Sequence, residues 1–447
     1  MIKVLIMETK APRITAYPIG GRAREIISRD VKLMARSYMR QHPLVVKRVE
    51  GAIVEDVNGN LYIDLTSGFG ALPLGGLNPE VVKSIVKQAE NLPTYSLRAA
   101  YSEDALELIE ELLKIVPIRG DVRAIFVNSG SEAMDAALRS MIWHTGKRIF
   151  LCFVGAYHGS TLATSSISFN GSWIGYEPSF MKAIHIPYPY CFRCPLGLKH
   201  EGCGLACLTY LEDMVSRIGS QRIASMVLEP IQVEAGVIIP PESYTEKFSK
   251  IIREKKIPLI LDEVSTAPAR SGRWFAAEHW NLDADLICLG PQLSSGLPLG
   301  IVLAKESILD LEPETFMSTA GGCQLSIASA LTTLRIIRDE GLVERAERLG
   351  RSILRRLRDL MDECELVGDV RGLGLMIGLE LAGNLELSRR LARIFVKECF
   401  RSGLIVRRRL STIILTPPLN IDEKLLERGL EILETKVREL SRSREAI

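Results

Sequence analysis

The sequence predicts an α/β protein: a mostly parallel sheet covered on both faces, followed by a smaller α+β unit. Three observations carry this. Short, continuously apolar runs recur between residues 122 and 304: VRAIFV (122–127), RIFLCF (148–153), ASMVLE (224–229), IPLILD (257–262), DLICL (285–289) and LGIVLA (299–304). Strands whose two faces are both shielded from water read this way. Stretches with helical spacing, among them 131–143 and 242–255, alternate with these runs, as a doubly covered sheet requires. After about residue 320 the texture changes to long amphipathic helices at 323–338, 342–362, 387–402 and 421–441, with short strands between.

The remaining elements follow in order. Residues 1–50 read as an N-terminal arm with one helical stretch around Ala23–Arg40. EGAIVEDVNGNLYIDL then gives two alternating strands joined across Asn58-Gly59, a hairpin signal. Helical spacing returns at Pro79–Ala89 and Ser102–Val116. Ser102 with Glu103 and Asp104 behind it suits a helix start, since the hydroxyl caps an amide and the carboxylates face the positive end of the dipole. The expected division is an arm and hairpin over 1–60 that form part of the small domain, a large domain over 61–318 with a cysteine-rich insertion at 191–207, and a small C-terminal domain over 319–447.

Composition narrows the class. A chain of 447 residues is long for one core, and 47% hydrophobic with 25% charged residues is ordinary for a globular protein. A net charge of +2, with Lys and Arg interspersed among Asp and Glu, gives no electrostatic footprint for nucleic acid. No run approaches the roughly 18 apolar residues that span a bilayer, and MIKVLIMETK is too short in apolar residues for a signal peptide. No membrane association is expected, and the cytoplasm is the expected compartment.

Ligands of parallel sheets sit at the carboxyl ends of the strands, so the residues there carry the functional reading. Asp262 ends the strand IPLIL; it could cap a turn, or it could pair with a cationic ring nitrogen. NSGSEA (128–133) opens a helix after VRAIFV, and Gly130 with Ser131 offers free amides and a hydroxyl, an anion site; the plainer reading is an ordinary helix start capped by Ser131. Tyr157 and His158 follow RIFLCF in AYHG. The tyrosine could cover a flat cofactor, and either residue could simply pack.

Taken in order, NSGSEA, AYHG, EPIQVEAG (229–236), LILDEV (259–264), the DLICLG loop and STAGG (318–322) resemble the class III (omega-type) aminotransferases, fold-type I pyridoxal-phosphate enzymes. The resemblance runs from about residue 45 to about residue 435 and includes RSGRWFAAEH (270–279), VRGLGLMIGLEL (370–381) and TPPL (416–419). It is nearest to the archaeal 4-aminobutyrate-aminotransferase-like branch. The resemblance implies that Gly130 and Ser131 hold the cofactor phosphate, and that Tyr157 covers the pyridine ring with His158 beside it. Asp262 would pair with the ring nitrogen, and Val264 would pack on the ring's other face. Glu229 and Gln232 would line the side of the cofactor hydroxyl. Thr319 would reach the phosphate of a neighbouring subunit, because the family builds each site across a dimer.

One position breaks the pattern. In the family a Schiff-base lysine follows the strand that here reads DLICL, and a gapless alignment of DLICLGPQLSSGLPLG puts Pro291 there. No lysine lies within 257–304, and Lys305 falls beyond the next strand. Proline can neither bond the cofactor nor relay a proton. The arginine that often precedes PPL, and binds a substrate carboxylate, is Ile414 here. The turn after DEV reads STAPARSG where glycines are usual, and GGLNP (75–79) lacks the family's histidines.

The leading expectation is therefore a homologue with no catalytic residue of its own for transamination. It would act as a homodimer or as a heteromer with an active aminotransferase paralogue, lending Thr319 and the loop Ser67–Leu72. The alternatives are an active aminotransferase or amino-acid racemase holding pyridoxal 5'-phosphate non-covalently, and a sensor that binds the cofactor without turnover. Separately, CFRCPLGLKHEGCGLAC places Cys191, Cys194, Cys203 and Cys207 around His200. Zinc or an iron–sulfur centre and two disulfides are equal expectations, with free thiols third.

Overall fold

The computed structural model describes residues 10–169 and 181–445. In chain order the first elements are α1 (Gly21–Leu33), β1 (Val46–Glu50), β2 (Ile53–Asp56), β3 (Leu61–Asp64), α2 (Pro79–Asn91) and α3 (Glu103–Leu113). The sheet region follows with β4 (Val122–Val127), α4 (Gly130–Thr145), β5 (Ile149–Phe153), α5 (Leu162–Ile167), β6 (Lys182–Ile186), α6 (Ala206–Ile218) and β7 (Ile223–Leu228). Next come α7 (Glu242–Glu254), β8 (Leu259–Asp262), β9 (Leu286–Leu289), a 3-10 turn at Pro291–Ser294, β10 (Gly300–Lys305) and α8 (Gln324–Asp339). The rest of the chain is α9 (Leu342–Glu363), β11 (Val367–Leu373), β12 (Met376–Leu381), α10 (Leu385–Arg401), β13 (Leu404–Ile405), β14 (Arg407–Arg409), β15 (Thr412–Leu415) and α11 (Glu423–Glu445).

Two compact units result: one takes the described residues up to Pro79 and from Arg345 onward, the other is Glu80–Glu344. Both ends of the expected 61–318 large domain move. Residues 61–79 stay with the first unit because β3 is the central strand between β2 and β13. Residues 319–344 stay with the second because α8 packs on α3 and on the turn at 291–294.

In the second unit seven strands run in the order β4-β10-β9-β8-β7-β5-β6. β10 is antiparallel to both neighbours, and the pairs from β9 through β6 are parallel. Alternate strand residues point to opposite faces, and each face has its own core. Leu151, Met226, Leu261 and Ile301 pack with α3, α6, α7 and α8, whereas Phe150, Val227, Ile260 and Val302 pack against Ala133, Met134 and Met141 of α4. The expected strands fall within a residue or two of those observed, and β6 is the one the apolar pattern missed. KAIHI interrupts its apolar residues with Lys182 and His185.

In the first unit β1-β2-β3-β13 form one sheet and β11-β12-β15-β14 another. The Asn58-Gly59 hairpin forms as expected: Gly59 takes a φ of +83°, and the Asp56 carboxylate accepts the amides of Asn58 and Asn60 at 2.8 and 2.9 Å. The first helix ends at Leu33, earlier than the expected Arg40, because Met34 turns to extended backbone. No helix among the described residues is long and apolar enough to cross a membrane.

Gly350, within α9, lies against backbone: a Cβ there would sit 2.0 Å from the carbonyl oxygen of Gly374. Backbone cannot rotate away as a side chain can, so Gly350→Ala is expected to destabilise this unit by about 2 kcal/mol, measured by chemical denaturation.

Candidate active site

The carboxyl ends of β4, β5, β7, β8 and β9 share one edge of the seven-stranded sheet, and the expected residues Gly130, Ser131, Tyr157, His158, Glu229, Gln232, Asp262, Val264 and Pro291 all follow or end those strands. At the start of α4 the cap is Ser129, not Ser131: the Ser129 hydroxyl accepts the Glu132 amide at 3.2 Å. A helix start leaves its first amides without intrahelical acceptors, and here these include Gly130 and Ser131. The Ser131 hydroxyl instead accepts the Ser160 amide at 3.2 Å. A Cβ on Gly159 would lie 2.5 Å from the Ser131 oxygen, so only glycine lets the two loops close into a backbone cradle.

Val264 joins three of these elements. A Cβ at Gly130 would fall 2.4 Å from Val264 Cγ1, and one at Gly290 would fall 2.6 Å from the same methyl. The backbone cradle, the end of β8 and the residue before Pro291 are thereby held at one point.

Asp262 is buried, and both its oxygens are engaged. Oδ1 accepts the Val264 amide at 3.1 Å, and Oδ2 lies 2.7 Å from His158 Nδ1. The His158 backbone amide donates to Ser168 Oγ at 2.9 Å, which anchors the loop backbone, while the ring Nε2 is buried without a partner. Glu229 accepts the Tyr157 amide at 3.1 Å. Burial, with the Asp262 charge adding to it, pushes the Glu229 carboxyl well above the usual carboxylate range. Tyr157 is half-buried, its hydroxyl 3.0 Å from Ser160 Oγ. Gln232 donates to the Val154 carbonyl at 3.2 Å.

Pro291 heads the 3-10 turn directly after β9, at the first position, where a missing N–H costs nothing. Gln292 beside it donates to the Val264 carbonyl at 2.9 Å, and its amide oxygen is buried without a partner. Sequence reasoning missed Gln292, although a glutamine among the small residues of a strand-end loop was a usable signal. It also missed Ser168, which nothing near AYHG points to. Lys305 lies at the far edge of the sheet. β10 runs antiparallel from Gly300, opposite Val127, to Lys305, opposite Val122, and six strand residues span about 17 Å at ~3.4 Å each. There Lys305 pairs with Asp285 at 2.7 Å. Lys147, Lys182, Lys255 and Lys256 likewise precede or begin parallel strands.

Thr319 is exposed, next to Ser318, whose hydroxyl receives the Asn128 side-chain amide at 3.2 Å. In the first unit Ile414 is buried in β15, and its cross-strand partner is Arg407. Arg407 is itself buried, with its guanidinium 5.0 Å from the Phe69 ring centre. Cross-strand partners share a face, so a cation stands one strand away from where the alignment had lost one.

The cysteine expectations need correction. Cys191, Cys194, Cys203 and Cys207 line one small cavity with His200, yet none of the four is joined in a disulfide. Among the described residues no three Cys, His or acidic groups converge as metal ligands. Cys207 lies in the first turn of α6, while the other three are spread along the loop before it, which places them around the cavity wall.

Two predictions follow from this edge. Gly130→Ala should cost about 1–3 kcal/mol through collision with Val264. Combined with Val264→Ala, the loss should be about 1 kcal/mol smaller than the sum of the two single losses, in a double-mutant cycle read by denaturation. Glu229 binds its proton more tightly folded than unfolded, where its pKa is about 4.3, so its contribution makes the fold less stable as pH rises above that value. Glu229→Gln mimics the protonated form, and its melting temperature should decline less between pH 5 and pH 8 than that of the wild type.

The aminotransferase class III family model matches residues 33–437. The alanine/serine racemase of Pyrococcus horikoshii is 36% identical, over 98% of this chain and 94% of its own. The acetylornithine aminotransferase of Methanothermobacter thermautotrophicus is 33% identical, over 92% of this chain and 98% of its own. The omega transaminase of Pseudomonas jessenii, solved in complex with PMP, superimposes with a TM-score of 0.86 at 28% identity, covering 93% of this chain and 98% of that one. With the strand order, the carboxyl-edge residues and these matches in agreement, the chain belongs to the class III aminotransferase family and has its fold-type I architecture.

Proposed function

We propose that this chain keeps the cofactor-binding part of a class III aminotransferase site and has lost the covalent and proton-transfer part. Its role is then that of a subunit which completes the site of an active aminotransferase partner. The observation that carries this reading is Pro291 at the strand end beside Gly290 and Val264, with Lys305 at the opposite edge of the sheet.

The residues present fit pyridoxal 5'-phosphate held without a covalent bond. Gly130 and Ser131 would take the phosphate on free amides in the cradle that Gly159 closes. Asp262, backed by His158, would keep a ring nitrogen protonated. Tyr157 and Val264 would flank the ring. Glu229 and Gln232 would sit toward its hydroxyl, Glu229 as a neutral donor. The partnerless oxygen of Gln292 and Nε2 of His158 are buried polar atoms that a ligand would satisfy. When bound, this cofactor supplies an electron sink for the carbon next to an amino group. The chain itself then lacks a group at residue 291 to move the proton.

The lending role draws support from Thr319, exposed on its loop, and from residues 67–70. Ser67, Gly68, Phe69 and Gly70 all have positive φ, at +49°, +57°, +67° and +85°. Two of these are not glycine, and such strain persists where a surface is held for use. Ser67 is clamped to the Thr416 carbonyl at 2.7 Å, and Phe69 is left exposed.

A second reading, an active racemase or aminotransferase with non-covalent cofactor, is favoured by the racemase and aminotransferase names of the relatives and by Arg407 beside Ile414. Mixing the protein with pyridoxal phosphate, reducing with borohydride and recording intact mass separates the readings. No covalent adduct is expected for the wild type, whereas Pro291→Lys should gain one that maps to position 291. An adduct on a wild-type lysine, or amino-group exchange or racemisation across a panel of amino and 2-oxo acids, would overturn the proposal. Purification of only a homodimer from native cells would remove the lending role.

A further inference from the structure

The first unit contains a cavity of about 370 Å³, within the range of roughly 300–1,000 Å³ that small-molecule sites occupy. Its polar wall is cationic. Arg40, Arg393, Lys397, Arg401 and Arg408 line it, and no acidic residue does. Two of these are committed: Arg40 pairs with Asp30 at 2.8 Å and Arg401 with Glu398 at 2.8 Å. Arg393, Lys397 and Arg408 have no acidic partner among the described residues.

Arg393, Lys397 and Arg401 lie at i, i+4 and i+8 on α10, and like charges at that spacing repel. An exposed basic stripe in water is common and costs little. Here Arg408 closes the array from β14, half-buried, with burial and the charges of Arg393 and Arg409 both weakening its hold on its proton. That repulsion is relieved by an anion.

The remaining wall describes the rest of the ligand. It is mainly apolar, with Ile19, Met39, Val396 and Phe400. His42 stacks on Phe400, ring centres 5.0 Å apart, and Phe400 on Tyr62 at 4.9 Å. His42 Nε2 lies 2.8 Å from the Val406 carbonyl, so it carries the proton and donates. Burial lowers the pKa of this histidine, so its Nδ1, buried without a partner, is left as a bare acceptor. Gln41 holds this wall rigidly on β14, donating to the Arg408 carbonyl at 3.0 Å and accepting its amide at 2.8 Å.

We propose that this cavity is a binding site for a mononucleotide-sized organic phosphate whose planar base carries an N–H donor, of the adenine nucleotide type. The phosphates lie on Arg393, Lys397 and Arg408, and the base lies against Ile19, Met39 and Val396, beside the edge of Phe400, with its amino group on His42 Nδ1. The site belongs to the unit without Asp262 and is independent of the cofactor reading.

Isothermal titration of the full chain with ADP, ribose 5-phosphate, pyrophosphate and inorganic phosphate tests this. ADP should bind at least about tenfold tighter than each of the others, because only it fills both the cationic and the apolar wall. Arg393→Glu with Lys397→Glu, both exposed and therefore compatible with folding, should weaken ADP by about tenfold or more. His42→Phe should reduce the preference for ADP over pyrophosphate while leaving pyrophosphate binding in place. Ser131→Glu, which blocks the other anion cradle, should leave ADP binding unchanged. Equal binding of all four anions, or loss of ADP binding in Ser131→Glu but not in the charge-reversed variant, would overturn the assignment.

Discussion

Two glycines on different elements face one methyl group: Gly130 at the start of α4 and Gly290 at the end of β9 each approach Val264 too closely to carry a Cβ. This three-way contact fixes the carboxyl edge. It sets how near the amides of α4 come to the end of β8, and it sets where the chain emerges from β9. Valine is stiff about χ1, so the wedge is a rigid one. The carboxylate of Asp262, two residues back, inherits its position from the same contact through its bond to the Val264 amide.

Charge is then arranged around that fixed point. Asp262 is buried with His158 at hydrogen-bond distance, and Glu229 is buried near both. Two ionised carboxylates this close in a dry environment repel, and the one with fewer donors takes the proton. Asp262 has an amide and an imidazole, whereas Glu229 has the Tyr157 amide. The edge thus holds, in Glu229, a carboxyl that burial and the neighbouring Asp262 charge push toward the protonated form, able to donate.

The sheet was legible because burial on both faces produces uninterrupted apolar runs, and the site was legible because strand ends in a parallel sheet are where polar residues have room. Gly130, Tyr157, Asp262 and Pro291 could be found that way. Val264 as a wedge could not, since nothing in DEV shows that two glycines 134 and 26 residues away meet it. β6 escaped because Lys182 and His185 interrupt its apolar residues. The domain limits escaped because β13, a two-residue strand far along the chain, pairs with β3. Arg407 was hidden in an arginine run, and only the register with Ile414 separates it from its neighbours. The cysteine spacing was visible, but spacing along a loop does not determine whether thiols converge.

On the proposed reading, a proline at position 291 in place of a lysine would remove one side chain and leave the rest of the edge under the same physical constraints. A buried carboxylate with two donors is costly in an apolar surround, and partnerless buried polar atoms at Gln292 and His158 add to that cost. A chain with no ligand would be stabilised by replacing these groups with apolar ones of similar size. A ligand that satisfies them stabilises the folded form by mass action instead. On the proposed reading the polar edge and Pro291 are compatible in one protein: binding would depend on the amides, Asp262 and His158, while a covalent step would depend on position 291. The two would be separable because they rest on different strands, β4, β5 and β8 for one and β9 for the other.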